Sequence, residues 1–93
     1  MPRLSISRIR ELVRSLNYVV SLHAAEELED DNLTILDFEN IILAGHIVER
    51  QKDRKTRETK IVIRGRTLEE REAETIVKVG LMGILYVVTI YLV

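Results

Sequence analysis

The 93-residue chain has no cysteine, no tryptophan and a single proline. The lack of cysteine excludes a disulfide framework and thiolate metal ligation, and the two histidines, His23 and His46, have no regular zinc-ligand spacing. No metal and no cofactor are therefore expected. Long apolar runs are also scarce. The longest, Ile84 to Val93, is too short to cross a bilayer as a helix and is rich in β-branched and aromatic residues, so it reads as a buried strand. The segment Met1 to Arg14 interleaves Arg3, Arg8, Arg10 and Arg14 with isolated apolar residues and has no continuous apolar region of the signal-peptide kind. The expected location is the cytoplasm, with no membrane association. Also missing are a phosphate-binding glycine loop, a nucleophile elbow, a zinc helix and a dinucleotide turn.

What is present describes one globular domain over residues 1–93. Hydrophobic residues make up 46% and charged residues 31%, enough apolar material for a core under a heavily ionised surface. A net charge of −1 hides a strong segregation. Glu26, Glu27, Glu29, Asp30, Asp31, Asp37 and Glu39 form an acidic stretch without lysine or arginine. Arg50, Lys52, Arg54, Lys55, Arg57, Lys60, Arg64 and Arg66 follow, opposed only by Asp53 and Glu58. The second stretch suits an anionic partner; charges on the solvent side of hairpins also serve solubility and discourage edge pairing.

The apolar period changes midway along the chain. Ile6, Ile9, Leu12, Val13 and Leu16 recur at helical spacing, with Asn17 as the expected C-cap. Tyr18 to Ser21 is a short extended link, and Ser21 caps a second, acidic helix over Leu22 to Asp30. Thr34 and Asp37 have capping-box spacing for a third helix that stops at Gly45. Alternation then predicts strands at about His46 to Lys52, Glu58 to Arg64, Ala73 to Val79 and Ile84 to Leu92, with Gly80 to Gly83 as a turn. The expected class is α+β, with N-terminal helices packed on one face of a four-stranded antiparallel sheet.

Strand parity assigns the two faces. Val48, Ile61, Ile63, Val77, Val79, Val88 and Ile90 are expected to pack against Ile9, Leu12, Phe38 and Ile41. Glu49, Lys60, Arg64, Lys78, Thr89 and Tyr91 take the other face, interrupted by Ile47, Val62, Ile76 and Val87. A part-charged face is also the ordinary state of an antiparallel sheet covered on one side. The chemistry it offers is metal-free cleavage of RNA, in which a 2′-hydroxyl attacks the adjacent phosphate and cations stabilise the developing charge. His23, Arg64, Lys78 and Tyr91 are the candidate catalytic residues, and Glu49, Lys60, Arg66 and Thr89 the candidate RNA contacts. His23, followed by Glu26 and Glu27 one helical turn on, has the composition of a carboxylate-supported proton carrier. A capping or surface histidine paired to Glu27 has the same composition.

The ordered segments Ser21-Leu-His-Ala-Ala-Glu-Glu-Leu-Glu-Asp-Asp-Asn-Leu-Thr34, Ile42-Leu-Ala-Gly-His-Ile-Val-Glu-Arg-Gln-Lys-Asp53, Ile63-Arg-Gly65 and Val88-Thr-Ile-Tyr91 resemble the bacterial domain-of-unknown-function family 4258. The resemblance runs from about Tyr18 to Tyr91. It implies a RelE-like fold of the Barnase, EndoU, Colicin and RelE group, and a ribonuclease toxin encoded beside a zinc-finger antitoxin of the YgiT type. His23, Glu49, Arg64, Thr89 and Tyr91 match positions that the family pattern tends to keep. Glu27 and Asp31 stand where members often have arginines, which removes two cations and keeps open a second reading, a degenerate toxin-like module that binds protein without catalysis. A homodimer or a bound partner is expected, because the chain ends within the apolar run Ile84 to Val93.

Overall fold

In the computed structural model, which describes residues 4–80 and 82–93, three helices precede most of the sheet: α1 (Ile6–Arg14), β1 (Tyr18–Val20), α2 (Leu22–Asp30), α3 (Ile35–Ala44), β2 (His46–Lys52), β3 (Thr59–Arg66), β4 (Glu72–Val79) and β5 (Leu85–Leu92). Local chemistry accounts for the helix starts. Ser5, Ser21 and Thr34 each accept an amide hydrogen bond from the third residue on, and Thr34 and Asp37 form the expected reciprocal capping box. α1 ends earlier than its apolar spacing predicts. Its C-cap is Ser15, not Asn17; Leu16 turns left-handed at φ 60, and the Asn17 amide donates to the Leu12 carbonyl at 2.8 Å. That is a Schellman stop with leucine where glycine is usual.

The sheet has five strands in the order β1-β5-β4-β3-β2, and it is mixed. The link expected at Tyr18 to Ser21 is a strand, β1, parallel to β5 with Val19 opposite Tyr86. Three residues are too few to display a period, and their pairing partner lies more than sixty residues away, so nothing local marks them as a strand. The other pairs are antiparallel, as expected. Leu81, within the expected Gly80–Gly83 turn, lies outside the described residues; Gly83 there has φ 74.

One face of the sheet carries the core. Ile61, Ile63, Val77, Val87 and Ile90 are buried with Ile9, Leu12, Phe38 and Ile41 in a single cluster, and Val79 packs at its margin. Two expected members are elsewhere. The pairing slips between Ile47 and Glu49 in β2, and opposite Ile76/Val77 in β5, so Val48 and Val88 are each the extra residue of a bulge. Val48 is 44% exposed and Val88 only half-buried. Their places on the core face go to Ile47 and Val87, which simple parity assigns to the other side.

The end of α3 is pressed onto β3. A Cβ on Gly65 would stand 2.7 Å from the Ile41 carbonyl oxygen, and one on Gly45 would collide with the backbone oxygens of Ile41 and Arg64. Gly45 itself has φ −89. It is required for room, not for the left-handed turn at which helices often stop.

Candidate functional site

The uncovered face of the sheet is read in cross-strand rows. His46, Arg64, Glu74 and Tyr91 align across β2, β3, β4 and β5; Glu49, Val62, Ile76 and Thr89 form the next row. Arg66 pairs with Glu72 on one side of these rows, and Lys78 with Tyr86 lies on the other. Seven of the eight residues expected from the sequence, all except His23, therefore stand on this face.

They do not form one cluster. Lys60 is four residues from Arg64 along β3, a separation of about 13 Å, and Lys78 is equally far from Glu74. Lys78 Nζ is engaged at 2.8 Å by Glu58. The geometry thus separates Lys78 and Lys60 from the Arg64–Tyr91 row, with the apolar pair Val62 and Ile76 between them.

The Arg64–Tyr91 row is held by two carboxylates. The Tyr91 hydroxyl donates to Glu74 Oε1 at 2.6 Å, and Arg64 approaches Glu72 at 3.4 Å and Glu74 at 3.9 Å. Its Nε is buried without a hydrogen-bond partner among the described residues. Tyr91 is pushed up to about 12, first by its hydrogen bond to Glu74, then by burial and by the charges of Glu74, Glu49 and Glu27. It is a neutral hydroxyl throughout the physiological range, suited to hold a position and not to exchange a proton.

His23 reaches the site through Glu27. Where β1 ends, the chain turns into α2, which runs beside β5; the Ser21 hydroxyl donates to the Val88 carbonyl at 3.1 Å. Glu27 then accepts from the Thr89 hydroxyl and, at 3.0 Å, from the Ile90 amide. The His23 Nε2 lies 3.3 Å from the same Glu27 oxygen. Glu27 thereby seals the part of β5 that β1 does not reach, a role for which a cationic side chain has no acceptor.

Sequence reasoning missed Glu58, Glu72 and Glu74 as partners of the cations, and Glu27 as the link to β5. The signal for Glu74 was its opposite charge directly across from Arg64, visible only once the register is fixed. A second feature of the site is the β2–β3 turn. Asp53 accepts from the Lys55 and Thr56 amides, Arg57 takes φ 61, and Lys52, Arg54, Lys55 and Arg57 make no ion pair among the described residues. The turn is a basic projection beside the Lys60 end of the open face.

Among the described residues no group of three or more metal-ligating side chains is arranged around a common point, and no helix is long and apolar enough to cross a membrane. No curated protein and no solved structure matches the chain. A family model, "Domain of unknown function (DUF4258)", matches residues 20–92, which takes in every element from the end of β1 to β5. With a match over most of its length, the chain belongs to the DUF4258 family.

Proposed function

We propose that this protein is a metal-independent RNA endonuclease of the toxin type, with a RelE-like fold, acting at the open sheet face around Arg64 and Tyr91. The observation that carries the reading is the unsaturated guanidinium of Arg64. Among the described residues it makes one side-chain hydrogen bond, to Glu72 at 3.4 Å, and its buried Nε makes none, with Glu74 standing 3.9 Å away. An arginine in that state favours a bidentate anion such as a phosphodiester. In this scheme His23, held by Glu27, takes the proton of the 2′-hydroxyl as its oxygen attacks phosphorus. The bond from phosphorus to the 5′-oxygen breaks, the leaving oxygen regains a proton from the imidazolium or water, and a 2′,3′-cyclic phosphate remains. Arg64 stabilises the charge on the phosphate. Tyr91 offers its ring to a base and its hydroxyl to Glu74. The basic turn, with Lys60, Arg66 and Lys78, supplies affinity for the strand.

The test is incubation of the purified protein with single-stranded RNA in a chelator, followed by end-group analysis. Cyclic phosphate ends are expected, with His23→Ala lowering the rate by about 10²- to 10⁴-fold, the range of general acid–base contributions. Arg64→Ala lowers both rate and binding. Absence of cleavage together with absence of salt-sensitive binding overturns the reading.

A second reading, a non-catalytic module that binds a protein such as a YgiT-type antitoxin, is favoured by a different observation. Glu27, Glu49, Glu72 and Glu74 all stand around the Arg64–Tyr91 row, and they oppose an RNA phosphate as strongly as they suit a basic protein surface. Under this reading the wild-type chain and His23→Ala bind the partner equally and neither cleaves RNA.

A further inference from the structure

The two edges of the sheet are finished differently. β2 carries His46, Glu49, Arg50 and Lys52 and is bent by a bulge at Val48, which are ordinary defences against pairing with another chain. β1 has none of these. From Leu16 to Leu22 there is no charged residue, in a chain of which 31% is charged. Leu16 is 72% exposed, Val19 47% and Leu22 77%. Leu16 also holds a left-handed backbone, which a bulky side chain rarely adopts. Tyr86, opposite Val19 in the register, extends the exposed apolar surface onto β5.

The direction of the free backbone groups follows from the bonds to β5. The Leu85 amide donates to the Asn17 carbonyl, and the Ser21 amide to the Val87 carbonyl, each within about a tenth of an ångström of ideal length for such bonds. Residues 17, 19 and 21 thus face β5, and alternation turns the N–H and C=O groups of Tyr18 and Val20 outward. An antiparallel strand centred on Val19 would satisfy all four. The same sequence reversed supplies that strand: Tyr18 falls opposite Val20 of the second copy and Val19 opposite Val19, with Leu16 and Leu22 flanking the paired residues. Val19 occupies the non-hydrogen-bonded position, where opposed side chains are nearest. The residues on either side of Val19 are therefore self-complementary about it, as a two-fold interface requires.

We propose that β1 is a self-association edge, on which a second copy of this chain pairs antiparallel about Val19 to give one continuous ten-stranded sheet. Three residues make a small joint, and the apolar shoulders Leu16 and Leu22 widen it. The two-fold axis stands perpendicular to the sheet, so the open faces of both copies lie on the same side. This places the dimer contact on the edge opposite β2, not on the far face of β5, which is flanked by β4 and β1. It does not depend on the RNA reading.

The test is sedimentation velocity over a wide concentration range. The wild-type chain is expected at twice 10.8 kDa at the upper end. Val19→Lys and Val19→Glu, each checked for native circular dichroism, set like charges against each other across the axis and raise the dissociation constant roughly 100-fold or more. Mixing the two variants restores the dimer as a Lys–Glu pair. A wild-type chain that stays monomeric at all concentrations overturns the proposal, as does a Val19→Lys dimer of unchanged affinity or a folded mixture that remains monomeric. Should both charge variants fail to fold, Leu16→Asn decides. Asparagine accepts the left-handed backbone, so the fold is kept, and unchanged dimer affinity overturns the proposal while a loss of about tenfold supports it.

Discussion

Ile63 and Val62 are neighbours in β3 on opposite faces of one sheet, and both are almost unexposed, at 0% and 5%. Ile63 lies under the helices in a cluster that includes Phe38, Ile41 and Ile42. Val62 lies outside that cluster, has no helix above it among the described residues, and stands in a row between Glu49 and Ile76. The first is enclosed by packing from another layer, the second only by residues of its own face. Fractional exposure alone does not distinguish them; the layer above does. The covered face tolerates little change in volume, whereas the open face is organised by charge, with Arg64 between Glu72 and Glu74 and Lys78 on Glu58.

The largest expected effect follows from that contrast. Ile63→Ala leaves a cavity under α3 and should cost about 2–5 kcal/mol of unfolding free energy. Val62→Ala should cost clearly less, because side chains at the sheet surface can close over the gap. Urea titration of both variants measures the difference. Equal losses would mean that the open face is packed as tightly as the core and would break the comparison.

Carboxylates sharpen it at a smaller scale. Asp37 is buried on the helix side, where it accepts from the Thr34 amide and hydroxyl and from the Leu68 amide at 2.8 Å. Burial alone would raise its pKa, but the hydrogen bonds from Thr34 and Leu68 outweigh it and hold the carboxyl below its ordinary 3.8. Asp37→Ala removes a cap and leaves buried amides unpaired, for a loss of about 2 kcal/mol near neutral pH. The sign is that of a depressed acid. Asp37 contributes fully above its unfolded pKa, and that contribution disappears as pH falls through the lower folded value. The gap between wild type and variant should therefore narrow only below about pH 4. By comparison Glu72→Gln on the open face, where the partner is a half-exposed arginine at 3.4 Å, should change stability by about 0–1 kcal/mol. A constant gap for Asp37→Ala down to pH 2 would show that its charge is not what stabilises the fold.

Local signals carried much of this structure in the sequence. The Thr34–Asp37 box, the serine cap at Ser21 and the helical spacing around Ile9 and Leu12 depend on residues a few positions apart, and all three lie where the pattern puts them. What escaped depends on distant partners. β1 exists because β5 pairs with it, Glu74 meets Arg64 because of a register, and Glu27 turns from an apparent loss of cation into a seal on β5 only when α2 is seen beside that strand. The candidate site was legible as a list of residues on one face. Its division into an Arg64–Tyr91 row and a separate Lys60–Lys78 end was not, since alternation specifies the side of a strand but not distance along the sheet.

The smallest expected effect tests the point at which alternation failed. Uninterrupted period two makes Val48 a core residue and Ile47 a surface one, whereas the bulge between Ile47 and Glu49 exchanges them. A bulge inserts one unpaired residue, so the sequence parity of inward and outward positions differs on its two sides. Glu49 is accordingly still opposite Val62, on the open face where parity placed it, and the error is confined to His46, Ile47 and Val48. Val48→Lys should leave stability within about 0.5 kcal/mol, the ordinary range for surface substitutions. Ile47→Lys instead drives an ammonium towards Ile63, its cross-strand partner on the core face, and must either bury an unpaired charge or distort β2. A pair of thermal melts is sufficient. Near-neutral Val48→Lys beside a strongly destabilised Ile47→Lys places the bulge where the pairing has it; the reverse order would restore the simple alternation and turn His46 away from the Arg64 row.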